Sequence, residues 1–227
     1  MGAPVSGAPR WSPTGQMIAF SSNLEGQFEI YVIPATGGKP RRLTSHPSND
    51  QSPSFSRDGK WIYFSSNRTG QYQIWKIPAS GGEAVQVTHN VGYVAFESPG
   101  GAYVYYTQTP RQPSALWRLP TSGGQPVKVL AGVVLWAFAV LEKGIYYIDR
   151  PLGQARLQFF DVATGRSTTV ARNLGEVRLY LTAFSRRPHD SLFPPGLLRR
   201  RPDAGGKLPV RCLRSGTLRG TMFTNDR

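Results

Sequence analysis

The sequence predicts an all-β chain: a partial β-propeller of about four four-stranded antiparallel blades with an irregular C-terminal tail. Three observations carry this. A ten-residue phrase recurs, as SPTGQMIAFS at residues 12–21, SRDGKWIYFS at 56–65 and, more loosely, SPGGAYVYYT at 98–107. A second phrase follows each, as EIYVIPATGG from Glu29, QIWKIPASGG from Gln73, ALWRLPTSGG from Ala115 and LQFFDVATG from Leu157. The copies lie a little over forty residues apart, a period that with several short strands per unit marks a propeller array. Glycine and proline are abundant, 25 and 19 of 227 residues, as a chain of many tight turns requires.

The second unit shows the logic of one blade. Residues 53–56 form a short first strand, the one that lines the central channel. Arg57-Asp58-Gly59-Lys60 is a turn, with Asp and Gly supplying side-chain hydrogen bonding and a left-handed backbone. Residues 61–65 (WIYFS), aromatic and β-branched, make the second strand. Asn67-Arg68-Thr69-Gly70 turns the chain into a third strand over 71–78, which alternates Tyr72, Ile74 and Lys76 on one face. Ser80-Gly81-Gly82 leads to a fourth strand over 84–88. The blades are then about 9–44, 53–88, 93–130 and 136–172, the last being the most degenerate. A single blade cannot bury both of its faces, so neighbours stack. Trp61, Trp75, Trp117 and Phe159 are expected to fill the layers between them.

The pattern resembles the TolB-like propeller repeats, also called PD40 or WD40-like repeats. The resemblance rests on Ser12-Pro13-Thr14-Gly15, Ile18, Phe20-Ser21, Ser56-Arg57-Asp58-Gly59, Ile62, Phe64-Ser65 and the turns ending at Gly38 and Gly82. It covers residues 9 to about 175 and is strongest in the first two blades. The Trp-Asp dipeptide of true WD40 repeats is absent.

Beyond Leu181 the alternation stops. A further blade is due near residue 185. Read from the second base of their degenerate codons, Phe184 to Phe193 permit SPDGRTILFS, a gapless match to the two strongest copies. Continuing from Arg201, the same frame permits DLMLVENFR and then a stop codon. Residues 177–227 are therefore expected to be a frameshifted tail, and the chain to be the C-terminal part of a larger propeller. The net charge of +14 fits this reading: residues 1–181 carry 17 basic and 10 acidic residues, and 182–227 carry 10 and 3, so half of the excess sits in the tail. Cys212 and His189, both in that tail, carry no functional inference.

Little in the remainder points to catalysis. No GxSxG elbow, no metal-ligand spacing and no phosphate loop is present, since the paired glycines recur with the blade. The expectation is no enzyme activity, no cofactor and no metal. Lys39, Arg41 and Arg42 form a small basic patch better read as a solvated face than as a nucleic-acid site. No apolar run is long enough to span a membrane and no signal peptide is recognisable, so the compartment stays open between cytoplasm and periplasm.

Propeller geometry singles out the face carrying the loops between blades, here 45–51, 89–93 and 132–135. The candidate partner-binding residues are His46, Asn49, Asp50, Gln51, His89, Asn90 and Tyr93. The expected function is a non-enzymatic protein-interaction or sensor propeller, with self-association through open blade edges as a further expectation. The resemblance implies relatives in periplasmic TolB and in bacterial signalling proteins with an upstream winged-helix or Ser/Thr kinase domain. The alternative is a propeller gating a prolyl-oligopeptidase-like hydrolase.

Overall fold

A computed structural model of the chain describes residues 5–110 and 113–174. The tail from 177, with its shifted copy at Phe184, lies outside the described residues. Sixteen strands among the described residues form four sheets, each a four-stranded antiparallel meander in sequence order. Blade 1 holds β1 (Ser6–Trp11), β2 (Met17–Ser22), β3 (Glu29–Pro34) and β4 (Arg41–Arg42). Blade 2 holds β5 (Asp50–Phe55), β6 (Trp61–Ser66), β7 (Gln73–Pro78) and β8 (Val85–Gln86). Blade 3 holds β9 (Ala95–Glu97), β10 (Tyr103–Thr107), β11 (Ser114–Pro120) and β12 (Val127–Val133). Blade 4 holds β13 (Phe138–Val140), β14 (Gly144–Asp149), β15 (Arg156–Asp161) and β16 (Arg166–Ala171). The chain is all-β, and the sheets stack as propeller blades with β1, β5, β9 and β13 innermost.

The repeated phrase is a turn that closes on its own hydrogen bonds. In blade 2 the Ser56 Oγ accepts the Trp61 N–H at 2.9 Å and donates to the Asp58 carboxylate at 2.6 Å, while Gly59, at φ +72°, donates its N–H to the Ser56 carbonyl. Ser12 and Ser98 repeat the first bond to Met17 and Tyr103 at 3.0 and 3.1 Å. Thr14 takes the place of Asp58, 3.2 Å from the Ser12 hydroxyl. Left-handed backbone at the fourth turn position favours glycine, which is why the glycine recurs at 15, 59 and 101.

Strand limits depart from the sequence expectation most clearly at a first strand and at two fourth strands. β5 starts at Asp50, not at residue 53, because the Asp50–Ser66 and Gln51–Ser65 pairings are followed by a bulge before Ser54. Ser52 sits in that bulge at φ +55°, as Ala8 does in β1 at φ +53°, and the interruption hides the strand from an alternation pattern. β4 and β8 are only two residues long because a side chain takes over the ladder: the Thr44 and Thr88 hydroxyls each accept the N–H of Ile30 and Ile74 at 2.9 Å.

Three hydrophobic clusters fill the three junctions between consecutive blades. Ala19, Ile30 and Val32 of blade 1 meet Ile62, Phe64 and Ile77 of blade 2. Tyr63 and Ile74 of blade 2 meet Val104, Tyr106 and Leu119 of blade 3. Leu116, Val133 and Tyr105 of blade 3 meet Phe138, Ile145 and Tyr147 of blade 4. Trp75 and Trp117 pack against the first two clusters, as expected. Trp61 and Phe159 belong to none of them. The Trp61 ring instead receives the Lys76 ammonium at 4.7 Å, and Phe159 stacks at a tilt on Tyr146 at 4.8 Å.

Candidate functional site

Antiparallel meanders place two kinds of connection at the same end of every blade. The loops from a fourth strand to the next first strand share an end with the turns between second and third strands. The repeated Ser-x-x-Gly and double-glycine turns lie at the opposite end. The candidate residues lie on the first of these faces, and the structure divides them into two groups.

His46, His89 and Asn90 are exposed. Blade 1 and blade 2 each hold one histidine by its backbone carbonyl, although His46 and His89 stand at different positions after Thr44 and Thr88. The Gln27 amide donates to the His46 carbonyl at 3.4 Å, and the Gln73 amide donates to the His89 carbonyl at 3.0 Å. Each backbone is thus tied to the start of a third strand while the imidazole is left facing outward.

Asn49, Asp50 and Tyr93 build the frame. Asn49 donates its N–H to the Asn67 side chain at 2.9 Å and accepts the Phe28 N–H at 3.1 Å, so it joins blade 1 to blade 2. Asp50, placed in a loop by the sequence expectation, is the first residue of β5 and fully buried. Its N–H reaches the Phe28 carbonyl at 2.7 Å, and its carboxylate takes Arg68 at 2.9 Å. That guanidinium lies over Trp75 at 4.5 Å and Phe64 at 5.4 Å, roofing the junction beneath it. Tyr93 is nearly buried, edge-on to Tyr72 at 5.1 Å, and burial pushes its phenol pKa up. Its hydroxyl donates to the half-buried Gln51 at 3.0 Å across the blade 2–blade 3 boundary. The loop expected at 132–135 also shortens, because β12 runs to Val133.

Sequence reasoning missed Gln27, Arg68 and Gln73. The signal for them was topological: their segments share the face with the inter-blade loops. A second polar repeat stands behind them. Glu29, fully buried at the start of β3, accepts from Thr44 and Arg42 at 2.5 Å. Its counterpart Gln73 accepts from Thr69 and Gln86 at 2.5 and 2.8 Å. Desolvation raises the Glu29 pKa, and its bonds to Thr44 and Arg42 oppose that shift.

The opposite end of the channel is occupied by protein. Arg10 of β1 lies over Phe96 of β9 at 5.2 Å, and burial lowers its guanidinium pKa to about 10, which leaves it charged at neutral pH. Arg57 donates its N–H to the Glu97 carboxylate and its guanidinium to the Val140 carbonyl of blade 4 at 3.2 Å, and Tyr63 donates to Glu97 at 3.0 Å. These groups satisfy one another and stitch blades 2, 3 and 4 together.

Ser48 and His46 lie 2.8 Å apart, but two residues apart on one exposed loop, and among the described residues no carboxylate orients the other ring nitrogen. No group of three His, Cys, Asp or Glu side chains suited to a metal ion occurs among the described residues. The site offers exposed polar groups on a rigid frame.

Several solved structures share this architecture. The putative TolB from Agrobacterium tumefaciens is 24% identical, with a TM-score of 0.59 over 71% of this chain and 63% of that one. TolB from Acinetobacter baumannii is 22% identical, with a TM-score of 0.61 over 74% and 44%. A puromycin-hydrolyzing peptidase from Mycobacterium tuberculosis is 17% identical, with a TM-score of 0.57 over 76% and 30%. The chain thus spans less than two thirds of each of these, and the likeness shows the fold. The family model described as PD40, TolB beta propeller domain, matches residues 3–132, more than half of the 227. The chain belongs to the PD40 family of TolB β-propeller domains.

Proposed function

We propose that this propeller is a non-enzymatic protein-interaction module of a TolB-like or bacterial signalling protein. The observation that carries the reading is the paired presentation of His46 and His89 on neighbouring blades, each held by a glutamine on its backbone carbonyl and each with its ring exposed. Preordered polar groups on one rim of a rigid ring suit recognition of another polypeptide, because little side-chain and loop entropy remains to be lost on binding.

The test is a peptide-display selection against the chain, with His46→Ala/His89→Ala/Asn90→Ala as counter-screen. Binders weakened tenfold or more by that triple change, and unaffected by Lys39→Ala/Lys60→Ala at the opposite end, are expected. Binders indifferent to the triple change would refute the assignment.

The second reading is a propeller that gates a peptidase, favoured by the likeness to the puromycin-hydrolyzing peptidase. Flanking gene sequence separates the two. A downstream domain with a GxSxG elbow supports the peptidase, whereas an upstream winged-helix or kinase domain supports the interaction module.

A further inference from the structure

Three blades bring a large polar or aromatic side chain to the same point of the channel wall. Gln51, Tyr93 and Trp136 each stand five residues before the residue that opens the first turn of their blade, Ser56, Ser98 and Leu141. That count places all three at the loop end of the inner strands, at the mouth of the channel. They form one continuous chain of contacts. The Tyr93 hydroxyl donates to the Gln51 side chain at 3.0 Å, and the Tyr93 ring lies 6.1 Å from that of Trp136. Tyr72, which precedes β7, stands edge-on to Tyr93 at 5.1 Å. The cluster is thus internal to blades 2, 3 and 4.

The rings do not form a flat platform. Tyr72 meets Tyr93 at 90° and Trp136 meets it at 50°, so adjacent faces stand to one another as the walls of a crevice. Tyr72 and Trp136 are half-buried, with part of each ring still open to solvent. Trp136 is set in advance. Its backbone is left-handed at φ +60°, an unfavourable state for a bulky side chain. The Val134 N–H on the Ile148 carbonyl at 2.8 Å and the Ala137 N–H on the Val134 carbonyl at 3.0 Å hold it there.

Hydrogen-bonding capacity at the mouth is lopsided. The Gln51 side-chain oxygen is taken by Tyr93, which leaves its amide to donate. The Trp136 indole N–H is buried and has no acceptor among the described residues, so an acceptor carried in beside the ring relieves an unmet donor. Burial, and after it the Asp50 charge, hold the Tyr72 phenol above its ordinary pKa, so a carboxylate brought there would meet like charge. The mouth therefore suits neutral carbonyl acceptors.

We infer that the channel mouth receives a proline-rich segment of the partner polypeptide in the polyproline II form. Proline rings are compact and apolar and fit between angled aromatic faces. The polyproline II backbone presents solvated carbonyls with no internal hydrogen bonds, and each proline removes an N–H that would need an acceptor. The segment is stiff before it binds, so little chain entropy is lost. The inference rests on the reading of this rim as a protein-interaction face and gives the partner a chemistry. His89 and Asn90 belong to the loop that ends at Tyr93.

Fluorescence anisotropy of the full chain with a panel of labelled proline-rich peptides tests it, against Gly-Ser and Glu-rich peptides of equal length. Tyr72→Ala and Trp136→Ala probe the mouth. Phe28→Ala is the control, because Phe28 precedes Glu29 as Tyr72 precedes Gln73 and is likewise half-buried, but lies in blade 1. Unfolding midpoints establish that each variant is folded. Saturable binding of proline-rich peptides alone is expected, weakened about tenfold or more by either mouth variant, as for loss of an anchor ring, and unchanged by Phe28→Ala. Binding that all three variants leave equal overturns the inference, and so does equal binding of the Gly-Ser or Glu-rich peptides. If no proline-rich peptide binds while display-selected peptides still bind through His46 and His89, this inference falls and the interaction reading stands. If neither kind binds, both fall.

Discussion

Phe20 and Phe64 occupy the same position in the same repeated phrase, so their alanine variants separate what the repeat dictates from what the ring dictates. Phe64 is completely buried at the blade 1–blade 2 junction among Ala19, Ile30, Val32, Ile62 and Ile77, whereas Phe20 is half-buried on the outer face of blade 1. Removing a buried phenyl ring costs about 3–5 kcal/mol, combining lost transfer energy with the cavity left behind. Little relief is available at Phe64, because five aliphatic side chains and the Arg68 guanidinium surround it. Phe20→Ala forfeits only part of a transfer energy of about 1.5–3 kcal/mol and leaves no closed cavity. The expected gap between the variants is therefore about 2 kcal/mol or more, from the same principles. Urea unfolding followed by tryptophan fluorescence, at a concentration where the chain is monomeric, measures it through the shift in midpoint. Amide exchange adds a second readout: Phe64→Ala uncouples blade 1, so β2 and β3 lose protection before β10 and β11 do. Equal costs for the two variants, or a Phe64→Ala cost below about 1.5 kcal/mol, would refute the reasoning, since that is less than half of the expected burial term.

Three further outcomes are expected. In Gly144→Ala the added Cβ would lie 2.1 Å from the Phe160 carbonyl oxygen and 2.7 Å from the Phe159 ring, so thermal unfolding should show a loss of about 1–3 kcal/mol or more, although the other blades carry Met17, Trp61 and Tyr103 there. Ser56→Ala removes the acceptor of the Trp61 N–H and the donor to Asp58, a loss of about 1–3 kcal/mol read from chemical denaturation. For Glu29, burial raises the folded-state pKa above the unfolded one, so its contribution favours the fold at pH below the ordinary carboxylate range and weakens as pH rises through the raised value. Glu29→Gln, which copies Gln73, should remove that slope; a pH–stability difference curve between wild type and variant that stays flat from pH 3 to 8 would contradict the assignment.

The repeat was legible because its information is local. Ser12, Ser56 and Ser98 each bond an N–H five residues ahead, and the glycine of each turn holds a left-handed backbone, so these turns need no distant partner. The candidate site was read less well. His46, His89 and Asn90 are as exposed as their loop setting suggested. Asp50 reads as a polar loop residue until the bulge at Ser52 carries β5 past it and Arg68 arrives from a turn 18 residues away. Trp61 and Phe159 show the same limit. Blade 4 moves the large aromatic from the second strand to the third, with Gly144 making room beneath the Phe159 ring. That exchange runs between two paired strands and is invisible along a single strand.

Sequence by itself determined the four-stranded blade, its turns and its period, because short-range hydrogen bonds and two-residue alternation specify them. Tertiary structure alone decided which polar side chains became internal supports and which remained outward. It also decided which of two equivalent phenylalanines was enclosed. Burial depends on what lies across the junction, and a residue's neighbour across a junction is set by its blade's place in the ring, about forty residues away along the chain.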